Sequence, residues 1–323
     1  NALTNNSDII IGKTENKLPI KIIDYHNYVV KDDGISYKLH DSLVSYDNIK
    51  QKRKFHFKVN AGKYFVIAEM NNRLYFANIN GIGLLYDTGL YYIHKNSPEQ
   101  LENEFPTTMM ALSPNVLGIG KSSGLFSYDI GTDKMDTVVI TKNTVETIWK
   151  TGNYIFVGTD GDGYYVHKLG SITRQMPLDK SNYLLNVHCI IPDDYGYVWM
   201  STNRGLYKAN KNDLIKAFEK NSPQVYYHFF GKNDGMDVVG INGGCEPCAL
   251  KLTNGKFSFP TVNGLLWVDP KAPMRLPEGN IFIDKIIVDN NPVNKDSFSY
   301  NSLPYTTHDI TVAISFPAWC NME

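Results

Sequence analysis

The stretch Ile190–Leu206 reads IIPDDYGYVWMSTNRGL: an acidic turn, a glycine, a Trp-bearing β run, a second turn and then Gly-Leu. Weaker versions of this pattern recur along most of the chain at a period of about 40 residues. Repetition at that period predicts an array of small antiparallel sheets, and for β-rich units the usual closed array is a propeller. We therefore expect an all-β fold built from repeated blades.

A glycine opens the second β run of each repeat, after a turn rich in Asn, Asp and Gly, the residues that tight hairpins tolerate. Each unit reads as strand, turn, strand, turn, strand, often with a fourth strand, which is the pattern of a propeller blade. We expect the glycine to let two neighbouring blades approach where a Cβ would crowd them. The six countable glycines are Gly34, Gly83, Gly124, Gly163, Gly205 and Gly264.

Six units can be counted, and a seventh, degenerate unit fits either in residues 1–23 or in residues 43–58. The segment SDIIIGK near the start is expected to complete the last blade, because an array closes best when one blade takes strands from both ends of the chain. The longest interval between glycines contains DLIKAFEK from Asp213. Its amphipathic pattern predicts a short helix with Asp213 as the N-cap.

The character of the sequence changes after Pro270, where KAPMRLPEGN places Pro273, Pro277 and Gly279 close together. Two β runs follow, IFIDKIIVDN and HDITVAISFPAW. We predict a boundary near Pro273, with a β-propeller over residues 1–272 and the first strands of a β-sandwich over residues 273–323. The final SFPAWCNME stops within an apolar run without a turn signal, so the chain is expected to be part of a longer protein.

The charge balance argues against direct binding of nucleic acid. The chain has 323 residues, with 32 Lys plus Arg against 33 Asp plus Glu and a formal net charge of −1. It therefore has no global positive field to attract a phosphate backbone.

Aromatic residues make up 12% of the sequence, which favours strands, because flat side chains pack well on a pleated surface.

The four cysteines, Cys189, Cys245, Cys248 and Cys320, are too few and too unevenly placed to predict a disulfide framework. Cys245-Glu-Pro-Cys248 has the spacing of a redox motif or of half a zinc site. However, CALKL reads as a strand rather than a helix N-terminus, and no second ligand pair is present. A disulfide or two inert thiols is favoured over either kind of site.

No other motif predicts catalysis, a metal or a cofactor. Asp160-Gly161-Asp162-Gly163 lacks the full twelve-residue pattern and terminal Glu of a calcium loop, which favours a hairpin turn. His188 and His228 are interpreted as strand residues rather than general bases. The remaining acidic residues cluster in turns, where turn chemistry explains them.

The segment IIPDDYGYVWMSTNRGLYKAN is similar to the regulator-propeller repeat of two-component regulators, whose consensus runs I-x-E-D-x-x-G-x-L-W-I-G-T-x-x-G-L. NGGCEPCALKLTNGKFSFPTVNGLLWVDP, which includes Gly264, looks like that family's final blade. IFIDKIIVDNNPV and HDITVAISFPAW resemble the start of the three-Tyr β-sandwich that follows these propellers. The agreement with the consensus, which we interpret as structural, falls on Ile190, Asp193, Gly196, Trp199, Thr202, Gly205 and Leu206.

This resemblance implies the sensor region of a hybrid two-component system, most often from gut Bacteroidetes. Such regions lie in the periplasm, respond to glycan fragments and belong to membrane-anchored sensor histidine kinases. A minority feed a soluble DNA-binding output instead. The resemblance thus implies non-catalytic recognition of an oligosaccharide, with the signal passed through the sandwich of a homodimer.

A sugar-binding propeller is expected to place aromatic side chains and hydrogen-bonding residues in the loops at one mouth. Tyr195 beside Arg204, and Asn242 in the Gly-rich NGGC turn, are residues of this kind. Two alternatives stay open: a propeller glycoside hydrolase or lyase, and a protein-binding propeller scaffold. Turnover of a sugar would indicate the enzyme, and recovery of a protein partner would indicate the scaffold.

Overall fold

The protein is almost entirely built of antiparallel β-sheets. The structure, a computed structural model, describes residues 9–12, 28–30, 35–39, 42–47, 50, 52–59, 65–96, 104–236, 240–244, 247–252, 254–272, 280–294 and 303–316. Within these residues the strands form six four-stranded sheets and one three-stranded sheet. Strand β1 (Ile9–Gly12) belongs to the sixth sheet.

Each of the next five sheets takes four consecutive strands in the order of the sequence. The first comprises β2 (Tyr28–Val30), β3 (Ile35–Leu39), β4 (Ser42–Asp47) and β5 (Lys52–Lys58). The second comprises β6 (Phe65–Met70), β7 (Arg73–Asn78), β8 (Gly81–Tyr86) and β9 (Gly89–Lys95). The third comprises β10 (Thr108–Ser113), β11 (Val116–Lys121), β12 (Gly124–Asp129) and β13 (Lys134–Ile140).

The fourth and fifth sheets carry most of the candidate functional residues. The fourth comprises β14 (Val145–Thr151), β15 (Tyr154–Thr159), β16 (Tyr164–Lys168) and β17 (Thr173–Gln175). The fifth comprises β18 (Cys189–Pro192), β19 (Tyr197–Thr202), β20 (Gly205–Asn210) and β21 (His228–Phe230), with helix α1 (Lys211–Lys220) between β20 and β21.

The sixth sheet joins strands from two distant parts of the chain. It comprises β22 (Leu250–Lys251), β23 (Phe257–Thr261), β24 (Gly264–Val268) and β1. Strand β1 pairs antiparallel with β24, with Ile9 opposite Val268 and Gly12 opposite Leu265. This confirms that the segment near the start completes the last blade. Residues 43–58 belong to the first sheet, so they do not form a seventh unit.

The sheets follow one another as the blades of a propeller. The innermost strands β2, β6, β10, β14 and β18 are neighbours in succession. Apolar side chains from consecutive sheets share one core: for example, Tyr164 of the fourth sheet and Met200 of the fifth lie in the same buried cluster. The second strands of the blades are almost fully buried, as in YIFVGT of β15 and YVWMST of β19. Burial on both faces explains why these runs are apolar instead of alternating.

The Asp-to-Trp spacing of the repeat has a direct structural cause. One carboxylate oxygen of Asp193 accepts hydrogen bonds from the backbone N–H groups of Tyr195 at 2.9 Å and Tyr197 at 2.8 Å. The other accepts from Nε1 of Trp199 at 3.0 Å. Asp193 thus shapes the turn and also satisfies the indole N–H of a side chain that is only 1% exposed. Gly196 closes the same turn with φ of +89°.

The second half of the repeat fixes the next turn. The hydroxyl of Thr202 donates to the carbonyl of Gly205 at 3.0 Å and accepts from the backbone N–H of Arg204 at 3.0 Å. Gly205 has φ of +150°, and a Cβ there would lie 2.3 Å from the carbonyl oxygen of Phe230. Leu206, the last consensus position, is fully buried.

At Gly83, Gly124 and Gly205 the crowding comes from their own blade, so the expected contact between neighbouring blades is wrong for these three glycines. Gly34 lies outside the described residues. At Gly124, as at Gly205, the nearest atom to a Cβ is a carbonyl oxygen of the outermost strand of the same sheet. In the second sheet the equivalent residue is Gly81, two positions before the Gly83 chosen from the sequence. Gly264 shares the positive φ, at +139°, but no atom of the described residues lies within 4 Å of a Cβ placed there.

Helix α1 is present as predicted, but it begins earlier. Its N-cap is Asn210, whose side chain accepts from the backbone N–H groups of Asn212 and Asp213, so the assignment of Asp213 as N-cap is wrong. Asp213 lies instead in the first turn, where its charge favours the helix dipole. The buried side of the helix, Leu214, Ala217 and Phe218, packs against the core of the fifth sheet.

The chain divides into two compact units, Asn1–Ala272 and Pro273–Glu323. The second contains the three-stranded sheet, with β25 (Phe282–Val288) between β26 (Asn291–Val293) and β27 (Ile310–Ser315). Aliphatic residues pair directly across β25 and β27, so they share one face: Ile283 with Ile314, Ile286 with Val312, and Val288 with Ile310. No helix among the described residues is long and apolar enough to cross a membrane.

Candidate functional site

The structure separates the residues that the sequence placed together. Tyr195 lies in the turn between β18 and β19, whereas Arg204 lies in the turn between β19 and β20. The six residues of β19 stand between them, a length of about 20 Å at 3.3 Å per residue. Tyr195 and Arg204 therefore occupy opposite ends of the blade.

Asn242 lies at the same end as Arg204. The backbone N–H of Ile241 donates to the carbonyl of Thr202 at 3.4 Å, and that of Asn242 donates to the carbonyl of Pro260 at 2.9 Å. Segment 240–244 is thereby held to the fifth and sixth sheets. We call this end the Arg204 face: the turn Asn203–Arg204, segment 240–244 and the starts of the inner strands β14 and β18.

The aromatic residue next to Arg204 is Tyr183, which the sequence analysis missed. The guanidinium carbon of Arg204 lies 5.9 Å from the centre of the Tyr183 ring, within the range of a cation–π contact. Tyr183 is 38% exposed, and its other neighbour is Phe229, with ring centres 5.9 Å apart. It lies in a connection between sheets, outside the repeat, so no local pattern in the sequence marks it.

His188 contacts the turn that carries Arg204. Its Nε2 lies 2.7 Å from Oδ1 of Asn203, within hydrogen-bonding distance. The side chain is 6% exposed, and its Nδ1 is buried with no hydrogen-bond partner among the described residues. The sequence predicted that both His188 and His228 lie in strands. His228 is the first residue of β21, which confirms the prediction, but His188 precedes β18 and lies outside the strand.

Glu146, the second residue of β14, faces His188 and was also missed from the sequence. Its side chain is 10% exposed, and its Oε2 lies 3.9 Å from Nδ1 of His188. The same oxygen accepts a hydrogen bond from the backbone N–H of Gly244. Burial raises the pKa of the Glu146 carboxyl, with Asp160 adding to the effect and Gly244 and His188 opposing it.

Segment 240–244 lies directly on this pair. A Cβ added to Gly243 would lie 2.2 Å from Nδ1 of His188, so the backbone approaches the imidazole as closely as only a glycine permits. The adjacent Gly244 binds Glu146. A segment that starts on the fifth and sixth sheets therefore reaches the inner strand of the fourth.

A disulfide bond lies beside the same segment. Cys248 is bonded to Cys189, the first residue of β18, with 5.3 Å between the Cα atoms. The predicted alternatives for the Cys245-Glu-Pro-Cys248 motif did not include this partner; Cys245 itself lies outside the described residues. The hydroxyl of Thr147 lies 3.7 Å from Sγ of Cys248. The bond ties the connection before β22 to the fifth blade.

The end of the fifth blade opposite the Arg204 face carries Tyr195. Tyr195 is 49% exposed, and its turn is shaped by Asp193. The neighbouring Asp194 forms an ion pair with Lys251 at 2.5 Å, with both side chains largely exposed. Such a pair contributes little to stability.

The turn Asp160–Gly163 is an ordered hairpin. One oxygen of Asp162 accepts from the backbone N–H of Lys142 at 2.8 Å and from the hydroxyl of Tyr165 at 2.7 Å. These bonds give the carboxylate a structural role. Across the described part of the chain, no group of three or more His, Cys, Asp or Glu side chains is placed to hold a metal ion.

The comparisons with known proteins identify a fold. No family model and no curated protein matches the chain. Two solved structures from B. thetaiotaomicron are similar, both extracellular domains of proteins assigned to hybrid two-component systems. For BT4673 the TM-score is 0.56 at 13% identity, covering 81% of this chain and 34% of that one. For BT3049 the TM-score is 0.50 at 14% identity, covering 88% and 43%.

A computationally designed protein, Ika8, is similar as well, with a TM-score of 0.51 at 12% identity over 76% of this chain and 71% of that one. The chain spans less than half of each of the two bacterial domains. At these identities the likeness concerns the fold alone: an all-β array of four-stranded antiparallel sheets.

Proposed function

We propose that this chain is the ligand-sensing part of a hybrid two-component system, located in the periplasm and recognising a glycan fragment without chemical turnover. The observation that carries the proposal is the similarity to the extracellular domains of BT4673 and BT3049, which extends over most of this chain. The regulator-propeller resemblance of Ile190–Leu206 points in the same direction.

The Cys189–Cys248 bond favours a location outside the cytoplasm. Disulfides persist in the periplasm and on cell surfaces, whereas cytosolic reductants keep thiols reduced. This observation is independent of the fold comparison.

The Arg204 face is the better of the two candidate binding surfaces. It combines an exposed guanidinium over the Tyr183 ring with Asn203 and Asn242 nearby. Aromatic faces stack on the apolar faces of sugar rings, while Arg and Asn side chains bond to hydroxyl or carboxylate oxygens. Tyr195 lies at the other end of the blade and is left out of this site.

In the full-length protein, the binding event is proposed to pass through the residues after Pro273 to a membrane helix and a kinase, within a homodimer. A ligand shifts such an equilibrium only by its differential affinity for two arrangements. We propose an oligosaccharide as the partner of this segment and no nucleic acid.

Isothermal titration of the chain with a panel of oligosaccharides tests the proposal. The expected result is saturable binding of one sugar class without release of shorter products. Arg204→Ala is expected to weaken binding at least tenfold, because a charged hydrogen bond contributes about 1.5–3 kcal/mol. Tyr195→Ala is the matched control at the opposite end and is expected to bind as the wild type does.

The alternatives have distinct outcomes in the same experiments. Release of shorter sugars would identify a hydrolase or lyase. Absence of binding across the panel, together with a defined protein partner recovered by pull-down, would identify a scaffold. Equal losses in Arg204→Ala and Tyr195→Ala would refute the assignment of the Arg204 face.

A further inference from the structure

We propose that the outermost strand of the first sheet, β5, is a second binding site, whose ligand is a linear anionic polysaccharide carrying sulfate or carboxylate groups. The site combines two cations and an exposed aromatic ring on one face of the strand. It belongs to the first sheet, whereas the Arg204 face is built around the fourth and fifth sheets. The two sites are therefore distinct.

Positive charge is concentrated on β5. The strand reads KRKFHFK, with four Lys or Arg side chains and no acidic residue, in a chain whose formal net charge is −1. The outermost strands of the next three sheets, β9, β13 and β17, hold one Lys or Arg each, and β21 of the fifth holds none. Lysines on an edge strand commonly prevent pairing with other chains. Since the equivalent strands manage with one cation or none, that role does not account for four.

Three of these four cations have no acidic partner. Lys54 pairs with Asp87 of the turn between β8 and β9, with 3.0 Å between Nζ and Oδ2. Lys52, Arg53 and Lys58 are exposed and form no ion pair within the described part of the chain. Alternate residues of a strand are about 7 Å apart, which is shorter than the screening length of about 8 Å at physiological ionic strength. The cations therefore repel one another, and a bound anion relieves that repulsion.

A β-bulge brings two of the cations onto the same face as an aromatic ring. Residues paired across an antiparallel sheet point to the same face. The register between β4 and β5 shifts once, with His56 as the extra residue. Because of this shift, Lys58 shares a face with Arg53 and Phe55, opposite alternate residues of β4. The pairs are Arg53 with Tyr46, Phe55 with Val44 and Lys58 with Ser42.

We call Arg53, Phe55 and Lys58 the Phe55 face. Phe55 is 60% exposed, so its ring offers a flat apolar surface to the solvent. The two cations flank it along about 16 Å of strand, at 3.3 Å per residue. The apolar face of a sugar ring can pack against Phe55 while the guanidinium and the ammonium group bond to anionic groups on either side of that sugar. One linear chain thus contacts all three side chains at once.

The shape of the charged region favours a linear polymer over a lipid surface. A membrane presents anionic headgroups in a plane and attracts cations spread over a broad face. Here the cations follow one strand, and the outermost strand of the next blade, β9, has only Lys95. An acidic peptide would add to the outer edge of β5 through backbone hydrogen bonds, which leaves the ring of Phe55 unused. An anionic polysaccharide engages both the charges and the ring.

Titration of the chain with a fluorescent heparin hexasaccharide, followed by anisotropy, tests this site with a sulfated probe. An oligogalacturonate of similar length supplies carboxylates alone. Saturable binding is expected for at least one probe, and it should weaken with added salt, which screens ionic contacts. Binding of either probe supports the proposal, and the tighter of the two identifies the anionic group. Absence of binding by both would overturn it.

Variants of the Phe55 face locate the bound probe. Arg53→Gln/Lys58→Gln is expected to weaken binding about 25-fold, with about fivefold for each lost ionic contact. Phe55→Ala is expected to weaken binding about fivefold through lost apolar packing. An affinity equal to that of the wild type in either variant would overturn the proposal.

Lys95→Gln/Lys134→Gln is the matched control for net charge. It removes two exposed cations from the outermost strands of the second and third sheets, so it changes the total charge as much as Arg53→Gln/Lys58→Gln does. The control is expected to bind the probe nearly as the wild type does. Equal losses in the two double variants would mean that only net charge matters, which contradicts a site on β5.

Two competitors test the choice of a polysaccharide as the ligand. Phosphatidylglycerol vesicles and a duplex DNA oligonucleotide are each added at the same concentration of anionic charge as the sugar probe. The sugar probe is expected to stay bound in the presence of either competitor. Displacement by the vesicles would indicate a lipid surface, and displacement by DNA would indicate binding of any polyanion; both results overturn the proposal.

Arg204→Ala separates this site from the Arg204 face. The variant leaves β5 unchanged and is expected to bind the anionic probe as the wild type does. Loss of the probe in Arg204→Ala would place it at the Arg204 face and overturn the second site, while the proposed function stands. Loss confined to the β5 variants, without any binding that depends on Arg204 across the oligosaccharide panel, supports the second site and contradicts the Arg204 face.

Discussion

Removing the Cys189–Cys248 bond should lower the stability of the propeller by a predictable amount. The two residues are separated by 59 positions in the sequence. In the chain-entropy model, a loop of that length costs the unfolded chain entropy worth about 4 kcal/mol at 25 °C. Cys189→Ala/Cys248→Ala is therefore expected to reduce the free energy of unfolding by about 4 kcal/mol.

Urea unfolding followed by tryptophan fluorescence measures this loss. Trp199 reports on the region directly, since it lies in the same buried cluster as Cys189. Reduction of the wild-type protein removes the bond while keeping both side chains, so it should produce nearly the same shift. The midpoint should fall and the slope should rise, because the unfolded chain without the bond is less compact and exposes more surface.

Cys245→Ala is the matched control, because the neighbouring cysteine of the same motif is not part of the bond. Cys245→Ala should unfold at the same urea concentration as the oxidised wild type, and reduction should lower its midpoint by the same amount. Unfolding of Cys189→Ala/Cys248→Ala at the wild-type midpoint would refute the stabilising role of the bond. A loss of stability in Cys245→Ala as large as that of the double variant would refute it as well.

Three smaller perturbations test the repeat and the buried pair. Gly205→Ala should lose about 2 kcal/mol more stability than Gly264→Ala, because both have positive φ but only Gly205 meets a carbonyl oxygen. Thermal melts of the two variants give the comparison. Asp193→Ala should cost about 3 kcal/mol, since three hydrogen bonds end on its carboxylate. Asp194→Ala should cost less than about 1 kcal/mol, and equal losses would contradict the assigned roles. The raised pKa of Glu146 means that its native state holds the proton more tightly than the unfolded state, so stability is lost as pH rises through the native pKa. Glu146→Gln has no such carboxyl, so its free energy of unfolding in urea, relative to that of the wild type, should increase from acidic to alkaline pH. A difference between the two free energies that does not change with pH would refute the raised pKa.

The blades could be predicted because their determinants are local. A turn of Asn, Asp and Gly, a buried second strand and a glycine with positive φ all lie within one repeat, as in Ile190–Leu206. The strand β1 was also predictable, since an apolar run near the start has an obvious place in an incomplete last blade. The start of helix α1 was misplaced because Asn210 and Asp213 are both good N-caps, and the end of β20 decides between them.

The candidate site depends on contacts between blades, which the repeat does not encode. Glu146, His188 and Gly244 come from three separate segments and meet only when the fourth, fifth and sixth sheets pack together. The partner of Cys248 was missed because Cys189 lies 59 residues away in the sequence and the two residues meet only in the folded protein. The short spacing to Cys245 suggested a local pair instead. Tyr183 begins a short 3₁₀ helix (Tyr183–Leu185) in the connection between the fourth and fifth sheets, outside the repeat.

The closure of the sixth sheet has a mechanical consequence. The chain enters through β1 and leaves through β24, and Ile9 is paired with Val268 at the end where both depart. Tension applied to the two departing ends would break the hydrogen bonds between these strands one after another, as a zipper opens, instead of loading them all at once. A pull along the polypeptide would thus detach one strand first and leave five blades intact.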